Sequence, residues 1–109
     1  MPQLDTSQIA WRAPWHAISS DYAAKAEVQL RREMCAGHVL YRRSVTAVGY
    51  RQDCDDVLFY LGPSRPSFGV VHLTYTQETK PDWPETTLFE SLAAWIDAGM
   101  IPDAEDFAS

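Results

Sequence analysis

Apolar positions first fall at helical spacing between Asp21 and Cys35, where Ala23, Ala26, Leu30 and Met34 share one face behind the N-cap groups of Ser19, Ser20 and Asp21. The spacing predicts a helix over 21–35, with Gly37 placed for a left-handed cap and Glu27 four residues before Arg31 as a solvated ion pair. From His38 to about Arg51 the residues turn β-branched and aromatic, and Val39, Tyr41, Val45 and Ala47 share one parity, which predicts a bent or bulged strand. Gln52 to Asp56 reads as a turn. Val57 to Leu61 is an apolar run, and Phe68 to Thr76 is a longer one in which Val71, Leu73 and Tyr75 alternate. These runs predict a three-stranded antiparallel meander, its second hairpin closed by the proline-bearing loop 62–67. Gln77 to Thr86 has no period and reads as a loop held by Trp83. Thr87 with Glu90 has the form of a capping box that opens a second helix, with Leu88, Leu92, Trp95 and Ile96 on one face and Gly99 as its stop.

The expected architecture is therefore α+β: an N-terminal helix, a three-stranded meander and a C-terminal helix in a single domain over 1–109. The arm 1–20 carries Ile9, Trp11, Trp15 and Ile18, too much apolar area to stay in water, and is expected to close a sheet edge. The tail 103–109 is expected to fray. The 109 residues are 46% hydrophobic and 22% charged, enough for one core and too apolar for a disordered chain.

Charge sharpens the picture. The net charge is −6, which argues against a protein that holds nucleic acid by its phosphates. Up to Gln52 there are seven bases and four acids, net +3; from Asp53 onward there are two bases and eleven acids, net −9. No apolar window reaches the length of a membrane span and the first residues lack the pattern of a signal peptide, so a cytoplasmic location is expected. Two cysteines are too few for a disulfide framework and are expected as thiols.

The candidate chemistry is thin. Cys35 and His38 form a C-x-x-H pair that Cys54 and His72 would complete as a zinc set. A continuous strand from Val39 to Arg51 would hold His38 and Cys54 at opposite ends of the sheet, so neither a metal site nor a Cys35–Cys54 disulfide is expected. The turn Asp53-Cys54-Asp55-Asp56 lacks the ligand spacing of a calcium loop and reads as solvated turn chemistry. His72 has opposite parity to Val71, Leu73 and Tyr75; it is either a structural histidine or a general base oriented by a carboxylate. His16 and His38 carry less signal. No nucleophile elbow or phosphate loop is present, so no catalytic residue and no cofactor are expected. Trp95 belongs to the helix stripe. Trp83, between two prolines, is either a loop anchor or an interface anchor.

Four segments carry a resemblance: Gly37-His38-Val39-Leu40-Tyr41, Cys54-Asp55-Asp56-Val57-Leu58-Phe59, Val70-Val71-His72-Leu73-Thr74-Tyr75, and Trp83-Pro84 ahead of Thr86-Thr87-Leu88-Phe89. Together they resemble a family of small, stand-alone, uncharacterised bacterial proteins, over most of the chain from the first helix to the second. The resemblance implies a bacterial cytosol and assigns no catalytic residues. The leading expectation for function is a non-enzymatic, immunity- or inhibitor-like module that binds a basic protein through Asp53, Asp55, Asp56, Glu78, Asp82, Trp83 and Glu85. The alternative is a small enzyme or ligand-binding protein with its site around His72, Asp55, Asp56 and Trp83. A homodimer through a sheet edge is a third expectation.

Overall fold

A computed structural model describes residues 9–76 and 79–109. Strand β1 (Trp15–Ala17) leads into helix α1 (Ser20–Glu33), which starts where the Ser19 hydroxyl accepts from the Tyr22 amide at 3.2 Å. Strands β2 (Thr46–Arg51), β3 (Asp56–Tyr60), β4 (Phe68–His72) and β5 (Thr86–Phe89) follow. All neighbours are antiparallel, in the order β1-β2-β3-β4-β5. The α+β class is as expected, but the sheet has five strands rather than three.

The two additional strands are edge strands of three and four residues, too short to show a period of two. β5 also overturns the capping box. Thr86 to Phe89 pair with Val71 to Phe68, and the gain from the ladder outweighs one turn of helix. The helix begins later, at Leu92, where Ser91 Oγ accepts from the Ala94 amide at 3.2 Å.

Residues 38–45 are not strand. His38 Nδ1 accepts from the Leu40 amide at 3.0 Å, the Tyr41 and Arg43 amides bond back to His38 and Leu40, and Arg42 takes a positive φ of 66°. These local bonds replace a ladder partner and reverse the expected parity: Leu40 is fully buried while Val39 and Tyr41 are exposed. The expected irregularity of β2 is a register shift between Ala47 and Gly49.

The sheet is covered on both faces. Val57, Phe59 and Val71 join Ala26 and Leu30 of α1, with Leu40, Val45, Ala47, Leu61 and Leu73. Leu58 and Phe68 point the other way, into a cluster with Trp15, Val48, Trp95 and Met100. Glu27 does not face Arg31; its Oε2 accepts the Ala47 amide at 2.9 Å, supporting the irregular end of β2.

Gly99 does not end the C-terminal helix. Helix α2 (Leu92–Trp95) passes through a π-helical segment (Ile96–Met100) into α3 (Ile101–Ala108). Pro102 has no N–H and would press on the carbonyl one turn back, and the wider turn relieves this: Ile101 N–H reaches Ile96 O. The tail expected to fray is helical. Asp103 Oδ2 accepts the Trp15 indole N–H at 2.9 Å, and Ala104 is buried. Among the described residues, no helix is long and apolar enough to cross a membrane.

Candidate functional site

Antiparallel strands put alternate loops at the same end of a sheet. The end of β2, the start of β3, the end of β4 and the start of β5 therefore meet, and the two loops between them carry most of the acids singled out in the sequence. Asp53 and Asp55 lie in the first loop, Asp56 at the head of β3, and Asp82, Trp83 and Glu85 in the second. Glu78 lies outside the described residues. Asp103 reaches this end from α3.

Arg51 neutralises part of this charge. Its Nε donates to Asp53 Oδ1 at 2.7 Å, and its Nη1 lies 3.4 Å from Asp103 Oδ2. Partial burial opposes the Arg51 charge, but the Asp53 hydrogen bond and the Asp103 carboxylate outweigh it and hold its pKa above the usual value. Among the described residues, Asp55, Asp82 and Glu85 have no cationic partner within ion-pair distance.

His72 is directly opposite Asp56 in the β3–β4 ladder, so both side chains leave the same face of the sheet. His72 Nδ1 lies 2.7 Å from Asp56 Oδ1. The His72 side chain is 48% exposed, so it is half-buried beside its carboxylate partner and not sealed in the core. Asp56, Val70, His72, Glu85 and Thr87 line a cleft of about 260 Å³. The backbone is tied down beneath it: the His72 amide donates to Glu85 O at 3.0 Å and the Leu73 amide to Asp55 O at 3.1 Å.

Cys54 completes the group. Its sulfur, an Asp56 carboxylate oxygen and an imidazole nitrogen of His72 all lie within 4.8 Å of one another. Desolvation pushes the Cys54 thiol pKa up. The Asp56 amide hydrogen bond pulls it down, the Asp56 and Asp53 carboxylates push it up, and the net result is a thiol that stays protonated at neutral pH.

The separation argued from a strand over 39–51 thus loses its premise. Cys54 and His72 do meet, with Asp56 in place of Cys35 and His38. His38 is 5% exposed and structural: its Nε2 donates to Pro84 O at 2.9 Å. Both cysteines are free, as expected. Trp83 is 42% exposed, and the fully buried side chain beside it is Pro84.

The site therefore belongs to a class defined by position: an open, acidic sheet end with an imidazole and two carboxylates in a shallow cleft and a thiol beside them. No family model matches the chain, and neither the curated proteins nor the solved structures give a match, so the family resemblance rests on its four segments alone.

Proposed function

We propose that the protein is a binding module that docks a basic protein partner on the acidic end of its sheet. The observation that supports this is the convergence of two acidic loops on one end, with Asp55, Asp82 and Glu85 left without cationic partners among the described residues. Unpaired carboxylates around a partner's Lys and Arg side chains would steer association and set orientation. Trp83, exposed between these acids, supplies the apolar anchor that such interfaces centre on. An inhibitor- or immunity-like role fits this surface. A second copy added at a sheet edge would pair along only the three residues of β1 or the four of β5, a short ladder for a dimer.

The test compares pull-downs with the wild-type chain and with the triple variant Asp55→Asn, Asp82→Asn, Glu85→Gln. The expected outcome is capture of a basic protein that falls at least tenfold in the variant and weakens steeply between about 50 and 500 mM salt. Capture unaffected by both changes would overturn the proposal.

The alternative, a small-molecule site at His72, is favoured by one observation. Asp56 holds Nδ1 and leaves Nε2 open at the cleft, the arrangement that fixes a basic tautomer. The protonated Cys54 thiol weighs against a cysteine nucleophile.

A further inference from the structure

We propose that Cys54, Asp56 and His72 form a binding site for a borderline-soft divalent cation of the zinc type, with one coordination position open to the cleft. Three donors of different chemistry, a sulfur, a carboxylate oxygen and an imidazole nitrogen, lie within 4.8 Å of one another. In a tetrahedral site with bonds of roughly 2.0–2.3 Å, donor atoms sit about 3.3–3.8 Å apart. Reaching that spacing closes the widest separation by at most about an ångström, and the Cys54 side chain is exposed and free to turn. The Asp56–His72 contact at 2.7 Å opens slightly as both atoms turn toward a shared ion.

The framework under these donors is fixed. Asp56 and His72 are ladder partners on adjacent strands, and Cys54 is two residues before Asp56, in a turn whose Asp55 carbonyl is bonded by the Leu73 amide at 3.1 Å. Only side-chain rotations separate the observed arrangement from a coordinating one, so little backbone ordering opposes binding. The donor set also selects the ion. A thiolate with an imidazole prefers zinc or cobalt to magnesium or calcium, which take all-oxygen sites. On coordination the S–H bond of Cys54 breaks, the sulfur keeps the electron pair as the metal–sulfur bond forms, and the proton leaves to solvent; the imidazole proton facing Asp56 at Nδ1 moves to Nε2, which frees the Nδ1 lone pair for the ion. Asp53 beside the thiol and Glu85 in the wall of the cleft favour a cation over an anion here. An external donor takes the fourth position, which opens to the cleft lined by Asp56, His72 and Glu85.

This inference rests on donor atoms and not on the net charge of the sheet end, so it stands or falls apart from the docking proposal. The full chain is titrated with Co²⁺ at neutral pH while absorbance is followed, then with Zn²⁺ as competitor. Cysteine ligation gives a sulfur-to-cobalt charge-transfer band, and tetrahedral coordination gives intense visible bands. The wild type is expected to saturate at one equivalent and to lose both signals when Zn²⁺ is added. Cys54→Ser abolishes the charge-transfer band, His72→Gln weakens binding at least tenfold, and Cys35→Ser changes neither. Circular dichroism of each variant matches the wild type, as its substituted side chain contributes little to either core. A wild type without the sulfur band overturns the proposal. A band that survives Cys54→Ser but vanishes in Cys35→Ser does so too, as does unchanged affinity in His72→Gln.

Discussion

The two faces of the sheet are filled by different means. The α1 face is mainly aliphatic, and its polar atoms are satisfied by a buried carboxylate: Glu33 is 0% exposed, with Oε1 accepting the Thr74 amide at 2.7 Å and hydroxyl at 2.9 Å. Glu33 Oε2 accepts the Tyr75 amide at 2.9 Å and the Gln29 side chain at 2.8 Å. The opposite face is built from rings. Trp15 meets Trp95 edge-on with centroids 5.2 Å apart, and Trp11 approaches Trp95 at 5.9 Å. The Trp95 indole N–H is buried without a partner among the described residues. One face is therefore specified by hydrogen bonds that fix where a loop must lie, and the other by shape, tolerating an unsatisfied donor because the rings leave no better arrangement.

That contrast can be broken most forcefully at Glu33. Glu33→Ala removes the carboxylate acceptor of the part-buried Thr74 and Tyr75 amides, and the expected loss is about 4 kcal/mol, read as a lower urea midpoint. A loss under about 1 kcal/mol would show that the loop does not depend on the carboxylate.

A smaller effect is expected on the ring face. A Cβ at residue 99 would stand 2.8 Å from Trp95 Cδ1 and Nε1, and Trp95 is held between Trp11 and Trp15. Gly99→Ala should cost roughly 1–3 kcal/mol despite alanine's better helix propensity, with a change in tryptophan emission. Unchanged emission and an unchanged melting temperature would mean that this face repacks freely.

The smallest effect belongs to Tyr75, whose amide Glu33 holds. Burial, and then the nearness of Tyr22 and Asp55, push its phenol up to about 12 from 10. The folded state favours the neutral phenol, so its stabilising contribution is complete below pH 10 and is lost as pH rises toward 12. Since Tyr75 is 54% exposed, the slope is shallow. Tyr75→Phe should flatten unfolding midpoints measured across that range; identical slopes would remove the coupling.

Sequence legibility divides along the same line. On the α1 face, Ala26 and Leu30 are buried where helical spacing puts them, with Ala23 and Met34 packed against them. Glu33 was not legible, because a charged residue near the end of an amphipathic helix usually faces water and only the return of the chain at Thr74 buries it. On the ring face, the period from Leu88 to Ile96 was read through a strand that pairing with β4 imposes, and Gly99 and Pro102 mark a widened turn rather than a stop. At the site, Asp56 and His72 were each conspicuous, but separately. Joining them needed the register of the β3–β4 hairpin, in which Tyr60 opposing Phe68 fixes Asp56 opposite His72. Cys54 stands with His72 in the zinc set the sequence offers, but that set also needs Cys35 and His38, and the overlong strand 39–51 argued against the whole group.

The order of the strands also has a consequence for assembly. β2 to β5 join their neighbours through links without a helix, whereas the pairing of β1 with β2 must close over the whole of α1 and the turns that follow it. Loop closure thus costs the chain most where the arm returns, and Trp15, the ring delivered by that return, gains its place against Trp95 only once the more distant contact is made. The aromatic face is completed by the contact that is entropically hardest to form.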